Sequence, residues 1–426
     1  MSRGILSERR FFSSGKIWLL FFLCPLLVGF FVQFVALPRL FPSLHAGEGL
    51  LKGGDWLYFH NLAVKLAEKI RTEGWSAWQL RPEGQAPAGI AAFFYVLFIP
   101  KPWVLVPLNA LLHGSSTFLL MKIVELFARD RRKALLSVLP FWLFPSAMTW
   151  YTQIHKDGIA IFGAFLFLYG WGAFFSQDGG RDKKSALLSA FAIFFGGVLI
   201  WVVRPYVAEI LWFLSIIMAF IVSIWSLSLR RPILPLLFLW GAILFLFPFT
   251  RGGEGGEAIS IEWRNALWLP DFFEQKLMGL ARTRLAYFSQ YDPNLGGNID
   301  WHVSFHSVGD VLRYIPRALE IALFAPFPQH WLTPGTSPAG YITRKIAGVE
   351  MLFVYTALLF FLLFLFCRHR DPRIWVLLYF SLSVMLIYAL SVPNVGSLYR
   401  ARYGFLMILV SLGWADVLSL RKKFQE

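Results

Sequence analysis

The feature that most constrains the fold is a series of long apolar runs, separated by short segments that hold most of the charged residues. Of the 426 residues, 57% are hydrophobic and only 15% are charged. A soluble domain is usually about 45–50% apolar and about 25% charged, and a helix needs about 20 apolar residues to cross a bilayer. A membrane β-barrel would instead show weak alternating segments of about ten residues. The sequence therefore predicts an all-α polytopic membrane protein.

Basic residues between the apolar runs predict how the chain is oriented. The net charge is +15, and Lys and Arg gather in clusters that the positive-inside rule places on the cytoplasmic side. The charge then reflects topology, and no nucleic-acid partner is predicted. With every cluster inside, the chain crosses about ten times and both termini are cytoplasmic. The clusters are Arg3, Arg9, Arg10 and Lys16; Arg129, Arg131, Arg132 and Lys133; Arg181, Lys183 and Lys184; Arg230 and Arg231; Arg368, Arg370 and Arg373; and Arg421, Lys422 and Lys423.

The predicted spans divide the chain into three parts. Residues 1–250 hold spans one to seven and a first outer loop over 38–102, residues 251–349 form a long outer loop, and residues 350–426 form a module of three helices. Within the first outer loop, the apolar segment 88–100 is too short to cross and is predicted to be an interfacial or re-entrant helix. The predicted spans are 17–37, 103–128, 134–153, 157–176, 185–203, 207–229, 233–250, 350–367, 373–391 and 403–420.

The first outer loop carries an acid at the start of an amphipathic helix. Apolar residues recur at helical spacing over 55–73, with charged residues on the opposite face, which predicts a helix lying on the membrane surface. Asp55 stands where its carboxylate can cap the first turn, so it has either a capping role alone or a chemical one. His60 follows one turn later and is either a polar surface residue or a ligand-binding one.

Two shorter outer segments carry further ionisable residues. Lys156 and Asp157 lie together at the start of a span, and Arg204 and Tyr206 flank a proline between two others. Each has an ordinary explanation, because Asp157 can cap a helix and Lys, Arg and Tyr commonly anchor spans at the lipid headgroups. Together they also provide an acid and cations on the same predicted face.

Among the predicted outer segments, "SVPNVGSLYRARYG" carries the strongest candidates for binding a ligand. Asn394 marks a turn, and Arg400 and Arg402 follow on the side where basic residues are disfavoured. Because guanidinium groups donate paired hydrogen bonds to phosphate, we predict that these two arginines bind a lipid phosphate. The alternative is contact with bulk anionic headgroups. In the long outer loop and at its end, Arg284 and the boundary acid Glu350 are further candidates.

These residues together favour chemistry on a lipid-linked substrate. A carboxylate can activate a hydroxyl as general base, cations can hold a phosphate leaving group, and aromatic rings can stack on sugars. The sequence contains no Walker loop, no dinucleotide fingerprint, no HExxH and no GxSxG. ATP-driven transport and standard hydrolase chemistry are therefore disfavoured.

The layout resembles the GT-C superfold of integral membrane glycosyltransferases. The resemblance lies in Asp55 after the first span, in the interfacial segments of the first outer loop and in Asp157 in the short second outer loop. It implies a polyprenyl-phosphate-linked sugar as donor, a lipid or glycan as acceptor, and a site on the periplasmic face. Asp55 would be the catalytic base or would orient the acceptor, and Asp157 would assist it or, in metal-dependent members, bind a metal.

The chain also departs from that family. The second outer loop lacks a second acid, and Gly54 precedes Asp55 where some mannosyltransferases have an acidic doublet. No resident cofactor is predicted, and a divalent cation stays an open alternative. The stretches "FPSAMTWYTQIHKDGIAIFG" and "PNVGSLYRARY" resemble parts of uncharacterised membrane proteins of bacterial polysaccharide clusters, which implies a multi-pass protein of the bacterial inner membrane.

The sequence is compatible with three functions. The first is sugar transfer from a polyprenyl-phosphate donor in surface polysaccharide biosynthesis. The second is an O-antigen or exopolysaccharide polymerase or ligase, which the long outer loop and the Arg400–Arg402 pair also fit. The third is a transporter of lipid-linked glycans, which is disfavoured because the predicted spans are nearly free of charge and show no clear repeat.

Overall fold

The structure is a computed structural model that describes residues 13–128, 130–175, 183–228, 232–250, 259–290, 297–333 and 338–423. The predicted basic residues Arg3, Arg9, Arg10, Arg129, Arg181, Arg230 and Arg231 lie outside the described residues. The described residues are mostly helical, with one small antiparallel pair of strands, β1 (His45–Gly47) and β2 (Leu50–Leu51). The α-helices are α1 (Ser14–Phe31), α2 (Trp56–Glu73), α3 (Ala86–Leu97), α4 (Val106–Glu125), α5 (Arg131–Ser137), α6 (Leu139–Leu143), α7 (Pro145–Tyr151), α8 (Asp157–Phe174), α9 (Lys183–Val203), α10 (Pro205–Ser228), α11 (Leu234–Leu246), α12 (Asp271–Gln290), α13 (Val308–Phe324), α14 (Pro328–Trp331), α15 (Pro338–Arg368), α16 (Pro372–Ser391) and α17 (Val395–Lys423).

The chain is an all-α polytopic membrane protein, as the apolar runs predict. Within the described ranges, seven helices are long and apolar enough to cross a membrane, and one bent pair of helices would make an eighth. The seven are Ser14–Leu40, Pro102–Glu125, Asp157–Phe174, Lys183–Val203, Pro205–Ser228, Gly340–Arg368 and Pro372–Ser391.

The three remaining predicted spans take other forms. The predicted span 134–153 is broken, because Arg131–Leu143 and Pro145–Tyr151 meet at a bend of 64°. The bend is caused by Pro145, because a proline disfavours helical backbone at the residue before it. Phe144 is accordingly extended, with φ −58° and ψ 124°. The predicted span 233–250 forms the shorter apolar helix Leu234–Thr250, and the predicted span 403–420 lies within the 29 residues of α17.

Basic residues from distant parts of the sequence meet at one end of the bundle. Arg131 Nη2 donates to Ser14 Oγ at 2.9 Å, and Arg368 Nη1 donates to the Phe127 carbonyl oxygen at 2.7 Å. The Arg373 Nη1 atom donates to the carbonyl oxygen of Leu126, the residue before Phe127, at 2.6 Å. The starts of α1, α5 and α16 and the ends of α4 and α15 therefore share this end, which we call the basic end. The opposite end, where α8, α10 and α17 begin, is called the site end.

The first loop packs as a small layer of its own at the site end. Trp56, Phe59, Ala63 and Ile70 form the buried stripe of α2 at helical spacing, and they pack with residues of α3 such as Tyr95. This confirms the predicted amphipathic helix, although its apolar face covers α3. With 12 residues, α3 is about 18 Å long, which is too short to cross a bilayer.

Close approach of helices depends on small residues, as is usual where lipid surrounds the bundle. At the crossing of α15 and α17, a Cβ added to Gly413 would lie 2.1 Å from the Ala357 carbonyl oxygen. At the crossing of α8 and α9, a Cβ added to Gly196 would lie 2.5 Å from the Phe167 amide nitrogen. Both contacts involve backbone atoms, which cannot turn aside as a side chain can.

Gly413→Ala is expected to destabilise the protein by about 1–3 kcal/mol, because the added methyl must push α15 and α17 apart. Gly241→Ala in α11 is the matched control, since a Cβ there has nothing within 4 Å. The measurement is thermal unfolding of both variants in one detergent. Equal melting temperatures for Gly413→Ala and the wild type would contradict the close crossing.

Candidate functional site

A cavity of about 330 Å³ opens at the site end, where distant parts of the chain meet. Its walls come from the first loop, from α7, from the segment that contains α14, and from the first turns of α15 and α17. Aromatic rings and cationic groups share this lining. They are Trp56, Trp150, Tyr399, His330, Arg344 and Arg400.

Asp55 does not itself line this cavity, but it stands between two lining residues, Gly54 and Trp56, and faces a third, Arg400, at what we call the rim. The Asp55 Oδ2 atom accepts from Arg400 Nη2 at 3.5 Å, and the side chains are 53% and 25% exposed. The predicted capping role is wrong, because the carboxylate makes no hydrogen bond to the first turn of α2. The physical reason is the backbone: a capping residue needs extended dihedrals, whereas Asp55 is helical with φ −74° and ψ −13°.

Glycines before Asp55 shape the rim. Gly53 has φ +82°, a region that glycine enters without steric cost. A Cβ added to Gly54 would lie 2.2 Å from the Trp56 ring, so the residue before Asp55 has to be small for the indole to line the cavity. The Trp56 indole nitrogen donates to the Leu51 carbonyl oxygen. The glycines therefore place both an aromatic ring and a carboxylate at the opening.

Asp157 lies deeper, in a buried ion pair. Its Oδ1 atom accepts from Arg204 Nη2, and Arg204 Nη1 donates to the Tyr388 hydroxyl at 2.7 Å. Arg204 is only 6% exposed, so the alternative in which it anchors the chain among headgroups is wrong. Tyr206 contacts the Tyr388 ring edge-on at 6.2 Å. It is itself 47% exposed and does not line the cavity.

The turn before Asp157 is held by a neutral histidine. Burial lowers the pKa of His155, which keeps the imidazole uncharged at neutral pH. Its Nδ1 atom lies 3.0 Å from the Gln153 carbonyl oxygen, and its Nε2 atom accepts from the Gly158 amide at 3.0 Å. Nδ1 therefore carries the proton. Lys156 lies at the N-cap position of α8 without capping it, and it does not line the cavity.

Arg400 connects the rim to this buried pair. It lines the large cavity and also a void of about 10 Å³ that Asp157, Arg204 and Tyr388 share. The charges therefore alternate in sign from Asp55 through Arg400 and Asp157 to Arg204. Alternation of this kind compensates charges that would be costly if they were desolvated alone.

The predicted pairing of Arg400 with Arg402 is wrong. Helix α17 begins at Val395, so residues two apart point to different faces. Arg402 is fully buried, and its Nη1 atom donates to the carbonyl oxygens of Ile321 and Ala322 near the end of α13. The Ile321 carbonyl also accepts from the Ala325 amide at 3.1 Å, whereas Ala322 lies four residues before Pro326, which has no amide hydrogen to donate. The Arg402 cation therefore supplies a donor to the carbonyl at this helix end, and Arg402 does not line the cavity.

Two other candidates also have structural contacts away from the cavity. His60 is buried, its Nδ1 atom lies 2.8 Å from the Tyr95 hydroxyl, and burial lowers its pKa. Arg284 is 1% exposed and donates to the carbonyl oxygens of Val303, Asp300 and Leu390 at 2.8, 2.9 and 3.3 Å. Arg284 therefore joins α12 to the segment before α13 and to α16.

Glu350 and Asn394 do help to build the cavity wall. Glu350 Oε1 accepts from the Ser146 amide at 2.8 Å and Oε2 accepts from the Tyr399 hydroxyl at 2.7 Å. Ser146 and Tyr399 both line the cavity, so this carboxylate positions α7 against α17. Asn394 lines the cavity and its Oδ1 atom accepts from the Ser397 amide at 3.1 Å, which caps α17.

Arg344 and His330 were not among the predicted site residues. Helix α15 begins at Pro338, within the stretch predicted as loop, and this places Arg344 near the site end of a candidate span. A usable signal was present, because Arg344 precedes an apolar run on the side where basic residues are disfavoured. His330 is 7% exposed, and burial lowers its pKa, with Arg344 and Arg317 acting in the same direction.

The two acids do not form a metal site with each other. Asp55 faces Arg400 and Asp157 pairs with Arg204. In the part of the chain that the structure describes, no group of three or more His, Cys, Asp or Glu side chains is placed to hold a metal ion.

No protein-family model matches the chain, and no curated protein matches it at a significant level.

Proposed function

We propose that this protein is a glycosyltransferase of the bacterial inner membrane that transfers a sugar from a polyprenyl-phosphate-linked donor to a lipid or glycan acceptor, in surface polysaccharide biosynthesis. The observation that carries the proposal is the cavity at the site end, which two arginines and several aromatic rings line, with the exposed Asp55 carboxylate facing one of these arginines. With the basic end on the cytoplasmic side, this cavity opens on the outer face.

Two arginines of the cavity can bind the phosphate that leaves the donor sugar. Arg344 and Arg400 both line the cavity, and guanidinium groups form short, charge-assisted hydrogen bonds with phosphate oxygens. When the bond between the anomeric carbon and the phosphate oxygen breaks, its electron pair stays on the phosphate. Cations held at that position stabilise the charge as it develops, which is the larger part of many enzymatic rate enhancements.

Asp55 is placed to act as the general base for the acceptor hydroxyl. Its carboxylate is half exposed and is not used as a cap, so it can accept a proton from an acceptor hydroxyl that enters at the rim. The hydroxyl oxygen then attacks the anomeric carbon, and the phosphate leaves as the anion held by the arginines.

Aromatic rings and buried acids complete the arrangement. Trp56, Trp150 and Tyr399 offer apolar ring faces to a sugar, and the Trp150 and Tyr399 rings stand edge-on at 5.8 Å. The Asp157–Arg204 pair shares a small void with Arg400 and orients its guanidinium. Glu350 accepts a hydrogen bond from the Tyr399 hydroxyl and so holds that ring in place. Asp157 and Glu350 are both buried and engaged with partners of their own, whereas the Asp55 side chain is 53% exposed, so these two acids are positioning residues.

A polymerase or ligase that uses a longer lipid-linked glycan is the second candidate. The observation that favours it is the contribution of Gly297, Pro326 and His330 to the cavity wall, because these residues come from the long loop that would contact an extended acceptor. Both candidates break the same bond and differ in the donor's glycan length.

The test is consumption of donor by purified protein in detergent. A panel of polyprenyl-phosphate-linked monosaccharides and a lipid-linked repeat unit would be incubated with acceptor, and free polyprenyl carrier would be measured. Detergent offers no sealed compartment, so a transporter would consume nothing. Consumption of a monosaccharide donor supports the proposal, and consumption of the repeat unit alone supports the polymerase or ligase.

A further inference from the structure

The start of helix α12, in the long loop, leaves a group of large apolar side chains exposed. Leu267, Trp268 and Phe272 are 104%, 70% and 55% exposed, and the stretch 266–270 contains no charged residue. Single exposed apolar residues are ordinary on a protein surface, but a contiguous group of them marks an interaction site. Residues 266–273 are called the apolar tip.

The apolar tip is a closed turn held by a buried acid. Glu274 is 6% exposed, and its Oε1 atom accepts from the Ala266 amide at 2.6 Å and from the Trp263 indole nitrogen at 3.1 Å. Within the turn, the Leu269 amide donates to the Ala266 carbonyl oxygen at 3.1 Å. One carboxylate therefore joins the two ends of the tip, and the side chains between them are held outward.

Three contacts show how α12 lies against α10 and α16. Taken from the start of α12 to its end, they are the Phe273 and Phe213 rings with centroids 5.8 Å apart, Lys276 Nζ with Glu209 Oε1 at 2.6 Å, and Arg284 Nη1 with the Leu390 carbonyl oxygen at 3.3 Å. Helix α10 begins at the site end and α16 ends there. Later residues of α12 therefore lie nearer the site end, and its first turn lies nearest the membrane interior.

The depth of the apolar tip follows from two positions on α10. The Lys276 and Glu209 side chains of the ion pair are 55% and 35% exposed, and charged groups beside a span stay at the level of the headgroups. Phe213 lies one turn after Glu209, a rise of about 6 Å. The contact of Phe273 with Phe213 therefore lies about 6 Å below the charged level, which is within the depth that interfacial helices reach.

The lipid-facing side of α10 continues from the apolar tip. Residues 207–216 of α10 are buried or half-buried, whereas Ile217, Phe220 and Ile221 are 39%, 56% and 55% exposed. The start of α12 thus helps to cover the first turns of α10, and acyl chains cover the later ones. Side chains of the tip that point away from α10 meet the same acyl chains.

Charged residues limit how far the apolar tip can enter the bilayer. Arg264 precedes the tip and Asp271 lies within it, and both are exposed. An ionised side chain is costly in the hydrocarbon centre, so these two residues favour the boundary between headgroups and acyl chains. Tryptophan is enriched at that boundary, and Trp268 supplies one there.

We propose that the apolar tip inserts into the acyl-chain region of the leaflet at the site end and anchors the long loop on the membrane. The occupant of this surface is lipid, because the tip continues the lipid-facing side of α10. The proposal does not depend on sugar transfer, since it rests on the exposure and position of the tip. Arg284 of the same helix donates to the carbonyl oxygens of Asp300 and Val303, which follow the cavity residue Gly297, so the anchor holds one wall of the cavity to the bilayer.

The test is the depth of a fluorescent probe in nanodiscs. Leu267→Cys would be labelled with an environment-sensitive fluorophore in a background of Cys24→Ala and Cys367→Ser, which removes both cysteines of the chain. We expect a blue shift of the emission, and stronger quenching by a lipid nitroxide near the glycerol end of the acyl chain than by one near the methyl end. Emission as in water, unaffected by either nitroxide lipid, would overturn the proposal.

Thr283→Cys in the same background is the matched control. Thr283 is an exposed residue of the same helix, and it lies about 16 Å farther along α12 than Phe272, toward the site end. A probe at this position is expected to emit as in water. Equal quenching of the probes at Leu267 and Thr283 would contradict insertion through the tip.

A second copy of the chain is the other occupant that this experiment detects. Nanodiscs that hold one copy are compared with nanodiscs that hold two. A blue shift that appears only with two copies, without quenching by nitroxide lipids, would overturn lipid insertion in favour of contact between copies. A blue shift with quenching in discs of one copy supports insertion.

Further variants keep the proposal testable if Leu267→Cys does not fold. Phe272→Cys places the probe on the same tip, and we expect the same blue shift and the same order of quenching. In the labelled protein, Glu274→Ala removes the acceptor that joins Ala266 to α12, so quenching should fall, whereas Glu274→Gln keeps an oxygen there and should retain it. Equal quenching in the two Glu274 variants would contradict the closed turn.

Discussion

Asp55→Asn is expected to abolish sugar transfer while it strengthens the binding of an anionic lipid. Loss of a general base costs about 10²–10⁴-fold in rate. The same change removes the acid that faces Arg400 at 3.5 Å, so the guanidinium becomes available to phosphate without displacing a carboxylate. Exposed ion pairs contribute up to about 1 kcal/mol, so the gain in affinity should be at most about fivefold.

The measurement for Asp55→Asn pairs a turnover assay with a binding assay on one preparation. Glu48→Gln is the control, because Glu48 is another exposed acid of the first loop, paired with Lys101 at 2.8 Å, and it does not line the cavity. Glu48→Gln should keep both properties. Weaker lipid binding in Asp55→Asn would mean that the carboxylate supports the ligand site and does not compete with the ligand.

Asp157→Ala is expected to destabilise the protein by about 3–5 kcal/mol, because it leaves a buried guanidinium without its counter-charge. The Asp157 and Arg204 side chains are 4% and 7% exposed, so water cannot replace the lost partner. The measurement is thermal unfolding in detergent, with the yield of monodisperse protein as a second readout.

A double variant gives the control for Asp157→Ala. In Asp157→Leu/Arg204→Met both charges are replaced by apolar side chains, and much of the lost stability should return, since apolar replacements of buried ion pairs are often neutral or stabilising. Additive losses in the single and double variants would contradict direct coupling of the two side chains.

Local patterns in the sequence were enough to predict the elements that depend on periodicity and length. The helix over 55–73 follows from apolar spacing, and the all-α membrane class follows from the apolar runs. The bend at Phe144 was missed, because run length alone does not show that Pro145 interrupts the backbone.

Predictions about the site failed where they depended on an element boundary. Arg400 and Arg402 were paired on the expectation of an outer segment lasting to Gly404, but α17 begins at Val395 and turns them to different faces. Arg344 was missed because α15 begins before the predicted boundary of the span.

Contacts between distant segments could not be predicted from the sequence at all. Gly297 approaches Arg344 and Asn394, and Glu350 joins Ser146 to Tyr399. No local pattern specifies such pairs, because they depend on how the long loop and the helices pack. Asp157 and Arg204 were both selected for their charge, while their pairing became evident only in three dimensions.

The most direct test of the proposed sugar transfer is mass-spectrometric detection of free polyprenyl carrier after wild-type protein and Asp55→Asn are incubated in nanodiscs with lipid-linked donors and acceptor. We expect release of carrier by the wild type and at least a hundredfold less by Asp55→Asn, with lipid binding retained by both. Tight binding of the donors without release of carrier by the wild type would contradict sugar transfer.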